Sequence, residues 1–177
     1  MYFLTHSLRT ISLTSFGLLF LLSACQSEAP PAEPTPFSDY VWQAPTWEPA
    51  ANDYDMHTQF AAVVDPQNPL PDYPRMQLRR DDWLNLNGVW QIKKQKVVDE
   101  PLPTNQNYDA GILVPFPVES ALGGIKEDWD RVWYRRVFTV PESWAEDDHI
   151  LLNFGAVDFE AEVFVNGQSV GVHEGGY

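Results

Sequence analysis

Apolar and polar residues alternate through much of the last third of the chain, and this period of two is typical of β-strands with one buried face. The clearest case is the pair of segments 159–165 and 168–173, which are separated only by Asn166-Gly167. Asparagine followed by glycine supplies the two positive-φ residues of a type I′ turn. The pattern therefore predicts an antiparallel hairpin closed by a two-residue loop.

The short loop also predicts the register of this hairpin, because it determines which residues lie opposite each other. The expected cross-strand pairs are Val165 with Gln168, Val163 with Val170, Ala161 with Val172, and Glu160 with His173. The valines and the alanine then share one face, which we predict to be buried. The opposite face is polar, and Glu160 and His173 are expected to form an ion pair on it.

Four further segments carry the strand pattern outside the hairpin. They are residues 89–97, 112–114, 132–140 and 149–154. Trp90 and Ile92 are expected in the core, whereas Lys93, Lys94 and Lys96 are expected at a solvated strand end. Strands that each need a covered face predict a sheet packed on a second sheet.

Several short motifs occur in a fixed order along these strands and loops. They are Asp82-Trp83-Leu84-Asn85-Leu86-Asn87-Gly88-Val89-Trp90, Val114-Pro115-Phe116-Pro117-Val118-Glu119-Ser120, Trp133-Tyr134-Arg135-Arg136, Phe154-Gly155-Ala156-Val157-Asp158, Val165-Asn166-Gly167 and His173-Glu174-Gly175-Gly176-Tyr177. In order and spacing they resemble the N-terminal sugar-binding domain of family 2 glycoside hydrolases. That family includes β-galactosidases, β-glucuronidases and β-mannosidases. The resemblance covers residues 68–177.

The resemblance implies an all-β fold, a galactose-binding-like jelly-roll β-sandwich. A jelly roll has about eight strands, and the pattern predicts fewer, so we expect the fold to be incomplete at the C-terminus and the chain to be a fragment. The family places its two catalytic glutamates in a (β/α)₈ barrel further along the polypeptide. We therefore expect no catalytic residue and no cofactor in this chain, and a carbohydrate and the missing barrel as its partners.

The loop after the 112–114 strand holds the candidate site residues. In the family this region tends to lie near the interface with the catalytic barrel, which makes Glu119 and Ser120 the candidates for a position near substrate. The structural alternative is a capped turn in which these two residues only order the loop. The sequence leaves both interpretations open.

Other polar residues are weaker candidates for catalysis or for metal binding. A retaining glycosidase needs two carboxyl groups about 5 Å apart, and Glu160 and Glu162 share a strand face with Cβ atoms about 6 to 7 Å apart. Both project from the polar side of a hairpin without an evident cleft, so we assign them a structural role. The four histidines are too scattered for a metal site by spacing: His6, His57, His149 and His173.

The first 24 residues have the pattern of an export signal. His6 and Arg9 precede an apolar run over residues 11–22, which is too short for a spanning helix but suits a signal peptide. We expect residues 1–24 to be removed and to take no part in the fold.

The run ends in Leu22-Ser23-Ala24-Cys25, which resembles the lipobox of bacterial lipoproteins. In that class a diacylglycerol is attached to the cysteine sulfur before cleavage. Cys25 is the only cysteine in the chain, so we predict that it carries a lipid anchor. Gln26 follows it where some inner-membrane lipoproteins have aspartate, and this favours the outer membrane.

The segment between the predicted anchor and the predicted domain, residues 25–67, is interpreted as a tether and lead-in. Six prolines before residue 50 favour an extended chain. The formal net charge of the whole chain is −14. An acidic surface repels phosphate backbones, so nucleic acid is not expected as a partner.

Three hypotheses about function remain. The chain is the N-terminal part of an exported glycoside hydrolase, a lipoprotein that binds sugar without cutting it, or an inactive remnant. A binding module needs aromatic rings for stacking on sugars, and the sequence offers Trp129, Trp133 and Trp144. For each of these, a place in the core is the alternative.

Overall fold

A computed structural model of the chain describes residues 2–5, 43–50, 58–71, 81–144 and 149–176. Its strands are β1 (Tyr2–Thr5), β2 (Gly88–Lys94), β3 (Ala110–Val114), β4 (Val132–Phe138), β5 (Glu160–Val165) and β6 (Gln168–Glu174). Two short 3₁₀ turns, Ala61–Val63 and Glu142–Trp144, are the helical elements of this part of the chain. The all-β fold class predicted from the sequence is confirmed.

The strands form one six-stranded sheet in the order β3-β2-β4-β1-β5-β6. Antiparallel pairing joins β2 to β3, β2 to β4 and β5 to β6, and these pairs are consistent with a β-sandwich domain. Within the described residues, loops rather than a second group of strands cover parts of this sheet, and β6 is exposed along its length.

Strand β1 is the largest departure from the sequence prediction. It lies between β4 and β5 and runs parallel to both of them. The expectation that residues 1–24 take no part in the fold is therefore wrong for Tyr2–Thr5 in this chain. Hydropathy predicts an export signal over these residues, but it does not report whether the residues before the apolar run pair with a strand edge.

The predicted hairpin forms, with a change of register. Asn166 and Gly167 have φ values of 51° and 85°, which confirms the two positive-φ positions, and Val165 lies opposite Gln168 as predicted. A register shift between Val163 and Phe164 then changes every later pair. The turn determines the register only as far as this irregularity.

The pairs beyond the shift correct the prediction. They are Val163 with Gly171, Glu162 with Val172, Ala161 with His173, and Glu160 with Glu174. The predicted pairing of Glu160 with His173 is therefore wrong. Val170 and Val172, predicted to be buried, are 60% and 63% exposed.

The predicted strand over residues 149–154 does not form. Leu152 packs against the core as expected, while Ile150 and Phe154 are 52% and 38% exposed. Alternation of apolar residues indicates a face that can be buried, but a strand also needs a neighbouring backbone to bond with. The structure supplies no such neighbour among the described residues.

The hydrophobic core lies on one face of β2, β3 and β4. Its buried residues are Trp90, Ile92, Ile112 and Val118, and the first two confirm the core predicted for β2. Tyr134 on β4 meets Trp90 edge to face, with ring centroids 6.4 Å apart. The indole N–H of Trp90 donates a hydrogen bond to the Leu86 carbonyl (2.7 Å), so this tryptophan is buried with its polar atom satisfied.

The opposite face carries buried polar residues. Arg135 on β4 is fully buried, and beside it lie Gln91 and Lys93 of β2. Lys93 pairs with Glu100 at 3.5 Å, so the prediction of a solvated lysine is wrong for this residue, while Lys94 and Lys96 are exposed. The loop after β2 folds back over the strand and covers Lys93.

Part of the predicted tether packs on the domain. The Gln43 carbonyl accepts a hydrogen bond from the Gln91 side chain (2.9 Å), and a Cβ on Gly111 would lie 2.2 Å from the Thr46 carbonyl oxygen. The Ala50 N–H donates to the Ala121 carbonyl (2.9 Å). Residues 43–50 therefore belong to the folded unit and do not act only as a spacer.

Candidate functional site

The candidate site lies in the loop 115–130, which connects β3 to β4 above the core. Val118 is its buried anchor, and the Val118 carbonyl accepts a hydrogen bond from the Lys126 N–H at 2.8 Å. The Leu113 N–H of β3 donates to the Gly123 carbonyl (3.2 Å). The first bond joins the two halves of the long loop to each other and the second joins the loop to the sheet, which gives its side chains defined positions.

Ser120 stabilises a turn inside this loop. Its hydroxyl donates to the Pro117 carbonyl (2.8 Å) and accepts from the Gly123 N–H (2.9 Å). The Ser120 N–H also bonds to Pro117. The hydroxyl of Ser120 thus makes the contacts expected of the capped turn.

Glu119 is exposed at the surface of the loop, close to the phenol of Tyr134. Burial of the phenol, followed by the nearby negative charge of Glu119, raises the pKa of Tyr134 to about 12. The phenol keeps its proton at physiological pH, as an unperturbed tyrosine also does, and the exposed Glu119 carboxylate can accept hydrogen bonds.

Trp47 is part of the same region and was not predicted by the sequence analysis. Its indole N–H lies 3.1 Å from the Leu122 carbonyl and 3.2 Å from the Gly123 carbonyl. A Cβ on Gly124 would lie 2.8 Å from the Trp47 ring, so the loop backbone packs directly on the indole. A tryptophan within an otherwise polar, proline-rich segment was the signal that could have identified this contact.

The three tryptophans considered for sugar stacking are all half-buried and engaged within the chain. Trp129 donates to the Glu127 carboxylate (2.7 Å) and lies 5.5 Å from the Lys94 ammonium. Trp144 donates to Asp82 (3.0 Å). Trp133 packs against Phe164 with ring centroids 6.2 Å apart. These contacts give each indole a structural role.

Glu160 and Glu162 lie on the exposed hairpin, away from the candidate loop. Glu162 accepts a hydrogen bond from the Ser169 hydroxyl (2.7 Å), and Glu160 lies opposite Glu174. These contacts agree with the structural role assigned to them from the sequence.

The hairpin also borders an open apolar depression of about 240 Å³. It is lined by Leu152, Phe154, Val163, Val170, Gly171, Val172 and His173. Sugars need several well-placed polar groups, and His173 is the one side chain in this lining that offers them. The depression is therefore a poor sugar site.

No group of three or more histidine, cysteine, aspartate or glutamate side chains suited to a metal ion occurs among the residues described. Cys25, His6 and His57 lie outside them. In the described part of the chain, no helix has the length and apolar character needed to cross a membrane.

Comparison with known proteins identifies the class of this chain. Residues 56–177 match the family described as glycosyl hydrolases family 2, sugar binding domain. The chain therefore belongs to glycosyl hydrolase family 2 and contains its sugar-binding domain. The match begins 12 residues before the boundary at residue 68 predicted from the motifs, and it includes all strands except β1.

Several of the similar curated proteins are named β-glucuronidases. The human enzyme is 30% identical over 106 residues, which cover 52% of this chain and 16% of that protein. The Streptococcus agalactiae enzyme is 31% identical over 109 residues, covering 59% and 17%. The Paenibacillus borealis enzyme is 29% identical over 119 residues, covering 59% and 18%. The matched region thus spans less than a fifth of each relative.

Proposed function

We propose that this chain is the N-terminal sugar-binding part of an exported family 2 glycoside hydrolase, and that the natural-length protein is a β-glucuronidase. The observation that carries the proposal is the match to the family 2 sugar-binding domain over residues 56–177. The choice of substrate rests on the similar proteins, which are named β-glucuronidases.

The proposed reaction is hydrolysis of O-glycosyl bonds in β-linked glycans by retaining double displacement. It needs two carboxyl groups about 5 Å apart on a rigid scaffold, and the exposed hairpin with Glu160 and Glu162 offers no such setting. We assign the catalytic pair to a barrel outside this chain. The domain described here then supports that barrel and presents the loop 115–130 to the substrate pocket.

Within this loop, Glu119 is proposed to lie beside the substrate, because its carboxylate is exposed and next to the protonated phenol of Tyr134. Ser120 is proposed to hold the turn that positions Glu119, through its bonds to Pro117 and Gly123. Export and the lipid anchor at Cys25 belong to the same proposal and rest on the signal pattern of residues 1–25.

The proposal is tested with the natural-length protein purified from its source. Chromogenic β-glucuronide, β-galactoside and β-mannoside substrates are compared at equal concentration. We expect kcat/KM for the glucuronide to exceed the other two by at least about a hundredfold, since loss of a matched buried polar contact costs several kcal/mol. Preferred cleavage of another β-glycoside contradicts the glucuronidase assignment and leaves the family assignment in place.

The alternative is a lipoprotein that binds carbohydrate without cleaving it. It is tested by titrating the full chain with glucuronate, galactose and mannose up to millimolar concentration. Saturable binding by a natural-length protein that cleaves none of the three substrates favours this alternative. Absence of both binding and cleavage favours an inactive remnant.

A further inference from the structure

Residues 43–50, which we call the strap, contact both β3 and the candidate loop. Two glycines show how close this contact is. A Cβ on Gly111 of β3 would lie 2.2 Å from the Thr46 carbonyl oxygen. A Cβ on Gly124 of the loop would lie 2.9 Å from the Glu48 carbonyl oxygen. Both distances are too short for a side chain, so glycine at these positions allows the backbone of the strap to approach.

The hydrogen bonds of the strap end on carbonyl groups that also hold the loop in shape. The Gly123 carbonyl accepts from an N–H of β3 (3.2 Å) and from the Trp47 indole N–H (3.2 Å). The Ala121 carbonyl accepts from the Gly124 N–H of the loop (3.1 Å) and from the Ala50 N–H of the strap (2.9 Å). The strap therefore supports the turn of the loop from outside.

A short series of contacts connects Trp47 with Glu119. The Trp47 indole bonds to the Gly123 carbonyl, and the N–H of the buried Gly123 donates to the Ser120 hydroxyl at 2.9 Å. That hydroxyl donates in turn to the Pro117 carbonyl at 2.8 Å. Glu119 lies inside the turn that this bond closes. The position of its backbone therefore depends on a turn to which the strap is bonded.

The strap lies outside the part of the chain that the family match defines, because the match covers residues 56–177. The sequence analysis assigned the strap to a tether. Trp47 is instead half-buried, and its N–H lies 3.1 and 3.2 Å from two loop carbonyls. A tryptophan that buries its ring and satisfies its N–H belongs to a packed segment.

We propose that Trp47 is a positioning residue for the candidate loop, so that a segment upstream of the family domain determines how well the protein binds its sugar. Trp47 acts through the backbone of residues 120–124, which holds Glu119 in place. Groups that bind a ligand must be kept close to their productive geometry by the residues that support them. This inference rests on the proposed function, which places Glu119 beside the substrate.

The first experiment measures hydrogen exchange at three loop amides, those of Gly123, Gly124 and Lys126, in the full chain. Trp47→Ala removes both the ring and the N–H that hold the loop. We expect the three amides to exchange at least about tenfold faster than in the parent, the effect of losing about one hydrogen bond. The amides of β2 serve as the internal control. Unchanged exchange at the loop amides overturns the proposal.

Two further variants make this test specific. Trp47→Phe keeps an aromatic ring against Gly124 and removes only the N–H, so we expect a smaller increase at the same amides. Glu48→Ala shortens an exposed side chain of the strap and keeps its backbone, so exchange should stay within about twofold of the parent. If Trp47→Ala accelerates β2 as much as the loop, the whole domain is opening and Trp47→Phe decides. Equal loop exchange in Trp47→Phe and Glu48→Ala then overturns the proposal.

The second experiment compares KM and kcat of the natural-length protein on its preferred β-glycoside. A residue that only supports the fold reduces the active fraction and therefore kcat, with KM unchanged. Loss of a binding contact raises KM with kcat unchanged. We expect Trp47→Ala to raise KM at least about fivefold with kcat within about twofold of the parent. Trp47→Phe should lie between them, and Glu48→Ala should match the parent. An unchanged KM overturns the proposal.

The two experiments separate this inference from the proposed function. A natural-length protein that cleaves none of the three β-glycosides contradicts the proposed function, and exchange at the loop amides then decides by itself whether Trp47 positions the loop. An active enzyme whose loop exchange and KM do not respond to Trp47→Ala contradicts this inference and leaves the proposed function in place.

Discussion

Arg135 shows how one residue can organise both a strand and a loop. Its guanidinium donates to the Gln91 side chain (2.7 Å), to the Thr104 carbonyl (3.1 Å) and to the Gln106 carbonyl (2.8 Å). It also lies 3.9 Å from the centre of the Tyr108 ring. A planar group with five donors can satisfy several carbonyl groups at once. The side chain of Arg135 therefore joins the loop after β2 to β4 through several contacts.

Arg135→Lys is expected to destabilise the full chain by about 2 to 4 kcal/mol, because an ammonium cannot reach all of these acceptors and leaves buried carbonyls unsatisfied. Urea unfolding followed by tryptophan fluorescence measures the change. Arg131→Lys at an exposed position is the matched control, with an expected change within about 0.5 kcal/mol. Equal stability of the two variants contradicts this role for Arg135.

Because of Tyr134, the free energy of unfolding of the domain is expected to depend on pH in the alkaline range. Burial, and then the charge of Glu119, raises its pKa from 10.0 to about 12 in the folded protein. Above pH 10 the unfolded chain loses this proton while the folded chain keeps it, so the free energy of unfolding falls as the pH rises. The favourable contribution is complete below pH 10 and is lost as the pH rises through the folded pKa.

Tyr134→Phe removes this titration, so the variant is expected to lose about 2 kcal/mol less stability than the parent between pH 9.5 and 12. Urea unfolding across that range measures the difference. Absorbance at 295 nm provides a second readout, because the variant should lack a tyrosine that ionises at about pH 12. Parallel pH profiles of the two proteins would show that Tyr134 ionises normally.

At the scale of elements, the β5–β6 hairpin has a turn that its own residues determine. Its register changes between Val163 and Phe164, beyond the turn. Asn166 and Gly167 supply the turn, and Gly167 has a φ of 85°. An added Cβ is strained in that region of backbone conformation. Gly171, further along β6, has no atom within 4 Å of an added Cβ. The two glycines therefore have different roles.

Gly167→Ala is expected to reduce the free energy of unfolding by about 1 to 2 kcal/mol because of the left-handed conformation. Gly171→Ala, the matched control on the same hairpin, should change it by no more than about 0.5 kcal/mol. Thermal or urea unfolding of the full chain compares them. A larger loss at Gly171 would contradict the structure of the hairpin.

The packing of residues 43–50 on the domain is also determined by contacts with residues distant in sequence. Loop 115–130 is held from below by β3 and from the side by residues 43–50, through Trp47 and Ala50. A proline-rich segment is extended by its backbone preferences, and an extended segment can be either a free tether or a strap across a sheet. Contacts with distant residues decide between these two.

At the scale of the whole molecule, Cys25, the one cysteine of the chain, is predicted to carry a lipid anchor. Cys25→Ser is expected to abolish acylation and to move the protein from the membrane fraction to the soluble fraction of the cell extract. Several acyl chains are needed for stable anchoring, so the loss should be nearly complete. Mass spectrometry of the N-terminal peptide identifies the lipid directly.

Ser27→Ala is the control for this experiment, because it alters a neighbouring side chain and keeps the sulfur. It should stay acylated and in the membrane fraction. Membrane association of Cys25→Ser equal to that of the parent contradicts the anchor at Cys25.

The sequence by itself determined the features that depend on neighbouring residues and on motif order. The strand pattern, the Asn166-Gly167 turn, the core positions Trp90 and Ile92, and the family are of this kind. Glu119 and Ser120 were proposed as site residues through motif order and stay a prediction, while the turn that Ser120 closes depends on residues close to it in the sequence.

Only the tertiary structure decided which edges and faces meet. The shift beyond Val163, the burial of Lys93 and Arg135, the contact of Trp47 with the loop, and the place of Tyr2–Thr5 between β4 and β5 all depend on partners distant in sequence. The alternation of apolar and polar residues indicates which side chains can be buried and which backbone segments can form strands. The partner that buries them or bonds to them is set by how the whole chain packs, because every buried polar group must find a partner somewhere in the fold.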